Sequence, residues 1–167
     1  MSAETITTAL FLITAVVASA VLINAVYPVI QNMAGTFSSS THESDVRIRT
    51  DFKIIATSAS QSAGTAQVWM KNIGSERISL SEIQRADVFC GAVGSFDHLT
   101  YTSGSLGDKQ WTADFGTGYD LNANSFWDPG ETLKVTAKTQ IPPAGNKVYF
   151  QFALPNGIWR SNEFTAS

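Results

Sequence analysis

ETITTALFLITAVVASAVLINAVYPVIQNM, residues 4–33, decides how this chain is built. No charged side chain falls between Ile6 and Ile30. As a helix rising ~1.5 Å per residue, that run reaches ~37 Å. It is long enough to cross a hydrocarbon core ~30 Å thick with some tilt. A cleaved secretory signal is a poor match, because such a signal has a basic start and an apolar run of only ~7–15 residues. Here Glu4 and the amino terminus are the only charges ahead of the run. A helix buried in a soluble core is a poor match too, since a 167-residue chain leaves too little protein to cover it on every side. Residues 1–33 are therefore expected to form a membrane-spanning or bundle-forming helix.

Small residues recur in the run at four-residue spacing, Thr14 with Ala18 and Ala15 with Ser19. Such pairs let helix backbones approach closely when lipid removes the hydrophobic drive between helices. These four residues are the candidate packing stripe for self-association; in a lone anchor the same residues are ordinary filler. Asn24 then places an amide at membrane depth, and Pro28 removes a backbone donor. A kink or an exit into the headgroup zone near Tyr27 and Pro28 is expected.

The Glu4-Thr5-Ile6 start, the alanine- and valine-rich centre and the Asn24-Ala25-x-x-Pro28 ending resemble the amino-terminal helix of the archaellum accessory and stator protein G family. The resemblance is close over about 30 residues and architectural beyond them. It implies a membrane-anchored, type IV pilin-like component of the archaeal motility machine. Archaellins, which build the filament itself, are near relatives and usually carry a basic, glycine-ending leader. No Lys or Arg precedes Arg47, which is expected of the accessory family rather than the filament subunit.

Beyond the helix the chain changes character. Residues 34–44, AGTFSSSTHES, interrupt both the helical and the strand period and are expected to form a flexible hinge. Residues 45–167 read as a β domain. Val46, Ile48, Thr50, Phe52 and Ile54 alternate with polar residues, as do Ala66, Val68 and Met70. Further strands are expected at 78–80, 86–90, 96–102, 131–139, 147–154 and 157–165, each bounded by turn residues. About eight short strands at this spacing predict an antiparallel, immunoglobulin-like β-sandwich.

Composition narrows the function. The formal net charge is −3, and no basic cluster marks a nucleic-acid surface. The single Cys90, between Phe89 and Gly91, is expected as a buried small hydrophobe. No Asn-x-Ser/Thr sequon occurs. With two histidines, His42 in the expected hinge and His98 beside Asp97 in a strand, no nucleophile has a base to serve it. Adjacent strand residues point to opposite faces, so Asp97 and His98 do not form a pair. No nucleophile-elbow, zinc-protease or phosphate-loop motif is present. Catalysis is not expected.

One loop has ligand spacing. Asp120, Asn122 and Asn124 match D-x-N-x-N, the carbonyl of Phe126 falls at the seventh position, Asp128 at the ninth and Glu131 at the twelfth. These hard oxygens suit Ca²⁺. Ser125 stands where such loops carry glycine for their sharp turn, and a strand rather than a helix follows. A metal-free turn into that strand is the competing reading. Of the four tryptophans, Trp69 lies out of phase with its buried neighbours and Trp127 lies in this loop. Both are candidate contact residues, tryptophan being a frequent interface anchor.

By resemblance, the chain would join a companion stator protein and a surface-layer protein outside the cytoplasmic membrane. Two other readings stand beside it: a filament-forming archaellin or pilin-like subunit, and a calcium-dependent module binding an envelope ligand. Arg47, Arg49 and Lys53 follow the helix and by the positive-inside tendency would face the cytoplasm. The resemblance places them outside, as part of a folded domain.

Overall fold

A computed structural model describes residues 2–114 and 124–167. The chain divides into two compact units, Met1–Asp45 and Val46–Ser167.

The first unit is helical throughout, the greater part of α1 (Ser2–Arg49). Every side chain from residue 3 to residue 37 is exposed. A helix that is apolar on all sides and covered by no protein has the length and composition to cross a membrane. Residues 34–44, expected as a hinge, are helical. The Thr36 and Thr41 hydroxyls donate to the carbonyls of Asn32 and Phe37, at 2.9 and 2.8 Å, instead of diverting the backbone. Serine lowers helix propensity only slightly, and Gly35 costs about 1 kcal/mol, which the continuous ladder of backbone bonds absorbs.

The second unit opens with the last helical turn. Strand alternation from Val46 was the wrong period: the helix continues to Arg49 and ends at Thr50, whose N–H and hydroxyl both donate to the Val46 carbonyl, at 3.0 and 2.7 Å. Ten strands follow among the described residues: β1 (Phe52–Ser60), β2 (Thr65–Asn72), β3 (Ile78–Ser79), β4 (Asp87–Ala92), β5 (Ser95–Tyr101), β6 (Gln110–Asp114), β7 (Phe126–Trp127), β8 (Thr132–Lys138), β9 (Lys147–Ala153) and β10 (Trp159–Thr165). Eight form one sheet in the order β1-β2-β8-β6-β5-β4-β9-β10, and β3 pairs with β7. The sheet folds over at the β5–β6 junction, bringing its edge strands β1 and β10 together. Ser167 ties that seam, its N–H donating to the Ala59 carbonyl at 2.9 Å.

The result is the expected helix followed by a β-sandwich, with two departures. Strands β5 and β6 pair in parallel, Thr100 against Gln110 and Tyr101 against Trp111. The strand expected at 78–80 stops at Ser79, where α2 (Leu80–Gln84) begins. Ser79 and Glu82 form a reciprocal capping box: the Ser79 hydroxyl accepts from the Glu82 N–H, and the Glu82 carboxylate accepts from the Ser79 N–H at 2.9 Å.

Alternate residues of both half-sheets meet in one core. Val68, Met70, Trp111, Leu133 and Val135 come from one, and Val88, Cys90, Leu99, Phe150 and Phe152 from the other. Phe52 packs edge-on against Phe152 at 5.6 Å, as does Trp111 at 5.9 Å.

At the end where the helix delivers the chain, four backbone bonds hold it. Ser75 and Glu76 N–H donate to the Arg49 carbonyl at 2.9 and 3.2 Å, and Ile73 and Gly74 N–H donate to the Asp51 carbonyl at 3.0 and 2.9 Å. A Cβ on Gly74 would lie 2.3 Å from the Arg49 carbonyl oxygen and 2.6 Å from the Asp51 nitrogen. Only glycine fits this approach. The Arg49 guanidinium also reaches Glu76 at 3.6 Å.

Candidate interaction surfaces

The helical stripe lies where the sequence places it, on an exposed helix. Its hydroxyls are satisfied internally: Thr14 donates to the Leu10 and Phe11 carbonyls at 3.0 and 2.9 Å, and Ser19 to the Ala15 carbonyl at 2.8 Å. Thr14, Ala15, Ala18 and Ser19 thus present short side chains without an unpaired polar group, which suits lipid and a second helix equally.

Of the proposed calcium loop, Asp120 and Asn122 lie outside the described residues. Of the remaining positions, Asn124, Asp128 and Glu131 hydrogen-bond within their own loop. Asn124 Oδ1 accepts from the Phe126 N–H at 2.8 Å, and Asn124 Nδ2 donates to Asp128 Oδ2 at 2.7 Å. Glu131 is 4% exposed, and its Oε2 accepts from the Asp128 N–H at 2.9 Å. Ser125 takes a left-handed conformation, φ 63°, at the position where glycine was wanted. No cluster of three metal-capable His, Cys, Asp or Glu side chains occurs among the described residues.

Trp127 is not a contact residue. It is fully buried, lies 5.7 Å from the Phe52 ring and donates its indole N–H to the Glu131 carbonyl at 2.9 Å. The turn from Asp128 to Glu131 folds back over it, so loop position misled where burial decides. Asn72, which the sequence reading overlooked, joins this loop to the helix-exit end. Its buried amide donates to the carbonyls of Glu76 and Trp127 at 2.9 and 2.8 Å, and its oxygen accepts from the Gly74 N–H. The Asn-Ile-Gly-Ser turn signal was its trace in the sequence.

Trp69 is half-buried on the outer face of β2, with the Lys134 ammonium 5.5 Å from its ring centroid. The opposite outer face, on β5, β4 and β9, carries an aromatic patch. Phe96 stacks on Tyr149 at 4.8 Å and Phe89 on His98 at 4.9 Å. Gly91 makes this possible: a Cβ there would come 2.7 Å from the Phe96 Cα. A lone glycine inside a strand is the signal for such close approach, but Gly91 reads equally well as the start of a turn.

Asp97 and His98 do diverge. His98 Nε2 meets Asp87 Oδ1 at 2.9 Å, whereas Asp97 accepts from Lys109 Nζ at 2.8 Å and from the Thr139 hydroxyl at 2.9 Å. The Lys109 and Thr139 hydrogen bonds hold the Asp97 carboxyl below its ordinary range, and the same contact with Asp97 raises Lys109. Burial pushes the Cys90 thiol up to about 12, which leaves it inert. Among the described residues these polar clusters make ion pairs and turns, with no nucleophile set beside a base.

A family model for archaeal-type flagellin matches residues 2–164. The chain belongs to the archaeal-type flagellin family. Within the curated proteins, it is 28% identical over 170 residues to an uncharacterized protein of Archaeoglobus fulgidus, covering 98% of both chains. The archaellum periplasmic stator protein FlaG from Sulfolobus acidocaldarius is similar in structure, with a TM-score of 0.53 and 24% identity over 69% of this chain and 99% of that one. A chain in the FlaF and FlaG stator complex of the same organism gives a TM-score of 0.53 and 23% identity, over 68% and 87% of the two chains. This family member therefore shares its fold with the solved stator chains.

Proposed function

We propose that this chain is an anchored, non-enzymatic component of the archaeal motility machinery, serving as a stator in the cell envelope. The observation that carries the reading is the fold likeness, which accounts for 99% of the solved FlaG chain and is preceded here by a helix long and apolar enough to cross a membrane. In this reading the helix inserts in the cytoplasmic membrane and the sandwich lies outside it. There the sandwich engages a companion stator protein, as FlaG is found with FlaF in the solved complex, and the surface layer. Residues 34–44, though helical, are the most compliant part of the connection because of Gly35 and the serine run. A stator needs no catalytic residue, only an anchor and an adhesive outer face.

The second reading, a filament subunit whose helices pack into a central core, is favoured by the description of the matching family as archaeal-type flagellin. Calcium-dependent binding of an envelope ligand has less support, because the oxygens of Asn124 and Glu131 already accept from their own loop. Mass spectrometry of sheared filaments beside the membrane fraction separates the first two. Enrichment with the membrane and absence from filaments is the expected result; abundance as a main filament protein would replace the stator reading with the filament one.

A further inference from the structure

The outer face of β1, β2, β8 and β6 is basic in a chain whose net charge is −3. Strand register sets Lys53 opposite Lys71, and Lys71 opposite Thr132. The next row holds Trp69, Lys134 and Asp114, and the rows beyond hold Gln67, Thr136 and Thr112, then Lys138 and Gln110. Four lysines thus share the face with one aspartate among the described residues. Elsewhere in the domain four cations meet carboxylates, Arg49 with Glu76, Lys109 with Asp97, Lys147 with Glu163 and Arg160 with Asp51, while Arg77 lies over the Phe126 ring and Arg85 donates to the Ser81 carbonyl. Lys53 and Lys71 have no such partner among the described residues, and they face each other directly. Like charges opposed across a strand pair destabilise it. Nothing in the packing requires this arrangement, since both side chains are exposed.

We propose that this lysine face is a docking surface for an acidic protein. Charge complementarity selects a polyanion, and the residue types select among polyanions. Phosphate is clamped best by arginine, and no arginine occurs in these rows. Trp69 is the single aromatic ring in these rows, half-buried and with the Lys134 ammonium 5.5 Å from its centroid, so successive nucleobases have no series of rings to stack on. Lysines act as point charges among threonine, glutamine and serine side chains, with Ile55 exposed at a register shift in β1, and this suits carboxylates spread over a folded surface better than a bilayer or a nucleic acid. Trp69 supplies the apolar centre of the contact, the kind of residue that anchors interfaces. The surface stands independently of whether the chain works as a stator or as a filament subunit.

The test uses the full chain in detergent micelles and immobilised poly-L-glutamate as the probe. The variant Lys53→Gln/Lys71→Gln/Lys134→Gln should weaken binding by about tenfold or more, and wild-type binding should vanish near ~0.5 M salt, where screening shortens the reach of charge to a few ångströms. Lys147→Gln, on the other face, should change binding less than about twofold. Lys71→Gln alone should raise Tm by about 1–3 °C, because it relieves the opposed pair. Triple-variant binding equal to wild type would overturn the proposal. So would a larger triple-variant loss for phosphatidylglycerol vesicles or duplex DNA than for poly-L-glutamate, which would assign the face to a membrane or to a nucleic acid. A lower Tm for Lys71→Gln would make the lysines structural and overturn it as well.

Discussion

Gly74→Ala tests the structure where it is least forgiving. The added methyl group would lie 2.3 Å from the Arg49 carbonyl oxygen and 2.6 Å from the Asp51 nitrogen, both backbone atoms that no rotamer change can move. Relief requires turn 73–76 to draw away from the chain as it leaves the helix. Overpacking of this kind costs ~1–3 kcal/mol. Retreat of the turn also weakens its bonds to Arg49 and Asp51, each worth ~0.5–1.5 kcal/mol. A total near 2–4 kcal/mol corresponds to a fall in Tm of roughly 8–16 °C for a domain of this size. Tryptophan fluorescence during heating of the full chain in detergent measures it. Gly94→Ala is the control, since Gly94 has φ 85° and open space around its Cβ position. It pays only the backbone penalty of ~1–2 kcal/mol, or roughly 4–8 °C. A Gly74→Ala protein melting within about 2 °C of wild type would refute the steric argument, because a shift that small is well under 1 kcal/mol.

Cys90 should resist alkylation in the native protein at pH 8 and react at once in denaturant, as mass spectrometry of the labelled chain will show. Its thiol is raised to about 12, so the fold favours the protonated form, and stability should fall as pH climbs above about 9 toward that value. Asp97 has the opposite sign: its carboxyl is lowered from 3.8, so its stabilising contribution is present above that value and fades as pH falls through the native one. Asp97→Asn should flatten the decline of Tm with acidification below about pH 4. Glu131→Ala should cost about 1–3 kcal/mol by stranding the Asp128 N–H. Melts in excess Ca²⁺ and in chelator should coincide for the wild type; a rise in Tm with Ca²⁺ that Glu131→Ala abolishes would restore the metal reading.

The apolar run and the strict alternation of β2, β8 and β9 were legible because each repeats one simple pattern, unbroken hydrophobicity in the helix and inside-outside burial in the strands. The boundary at residues 46–49 was not. Val46 and Ile48 alternate with Arg47 and Arg49, which reads as a strand, yet Glu43 to Arg47 and Asp45 to Arg49 are also acid-before-base pairs at helical spacing. The second signal was correct. The capping box at Ser79 and Glu82 was visible as S-x-x-E but was hidden by the short strand that precedes it. The parallel pairing of β5 with β6 leaves no local trace, since it depends on which strands the folded sheet brings together. The site residues divide the same way. The outward placement of Trp69 was legible by phase, whereas Trp127 sat in a polar loop whose turn seals it inside. The lysine face emerges only when the register of four strands is known.

The four bonds at the helix exit also determine how the domain answers tension. A pull arriving from the helix reaches the carbonyls of Arg49 and Asp51 before it reaches β1, and it meets the amides of residues 73–76 together. Force shared among several bonds at once must break them in concert, whereas force on the end of an edge strand can unzip its ladder one rung at a time. Gly74 permits the approach that makes this sharing possible. The joint is therefore the point at which strain in the helix is spread into the sheet before it can peel the strand.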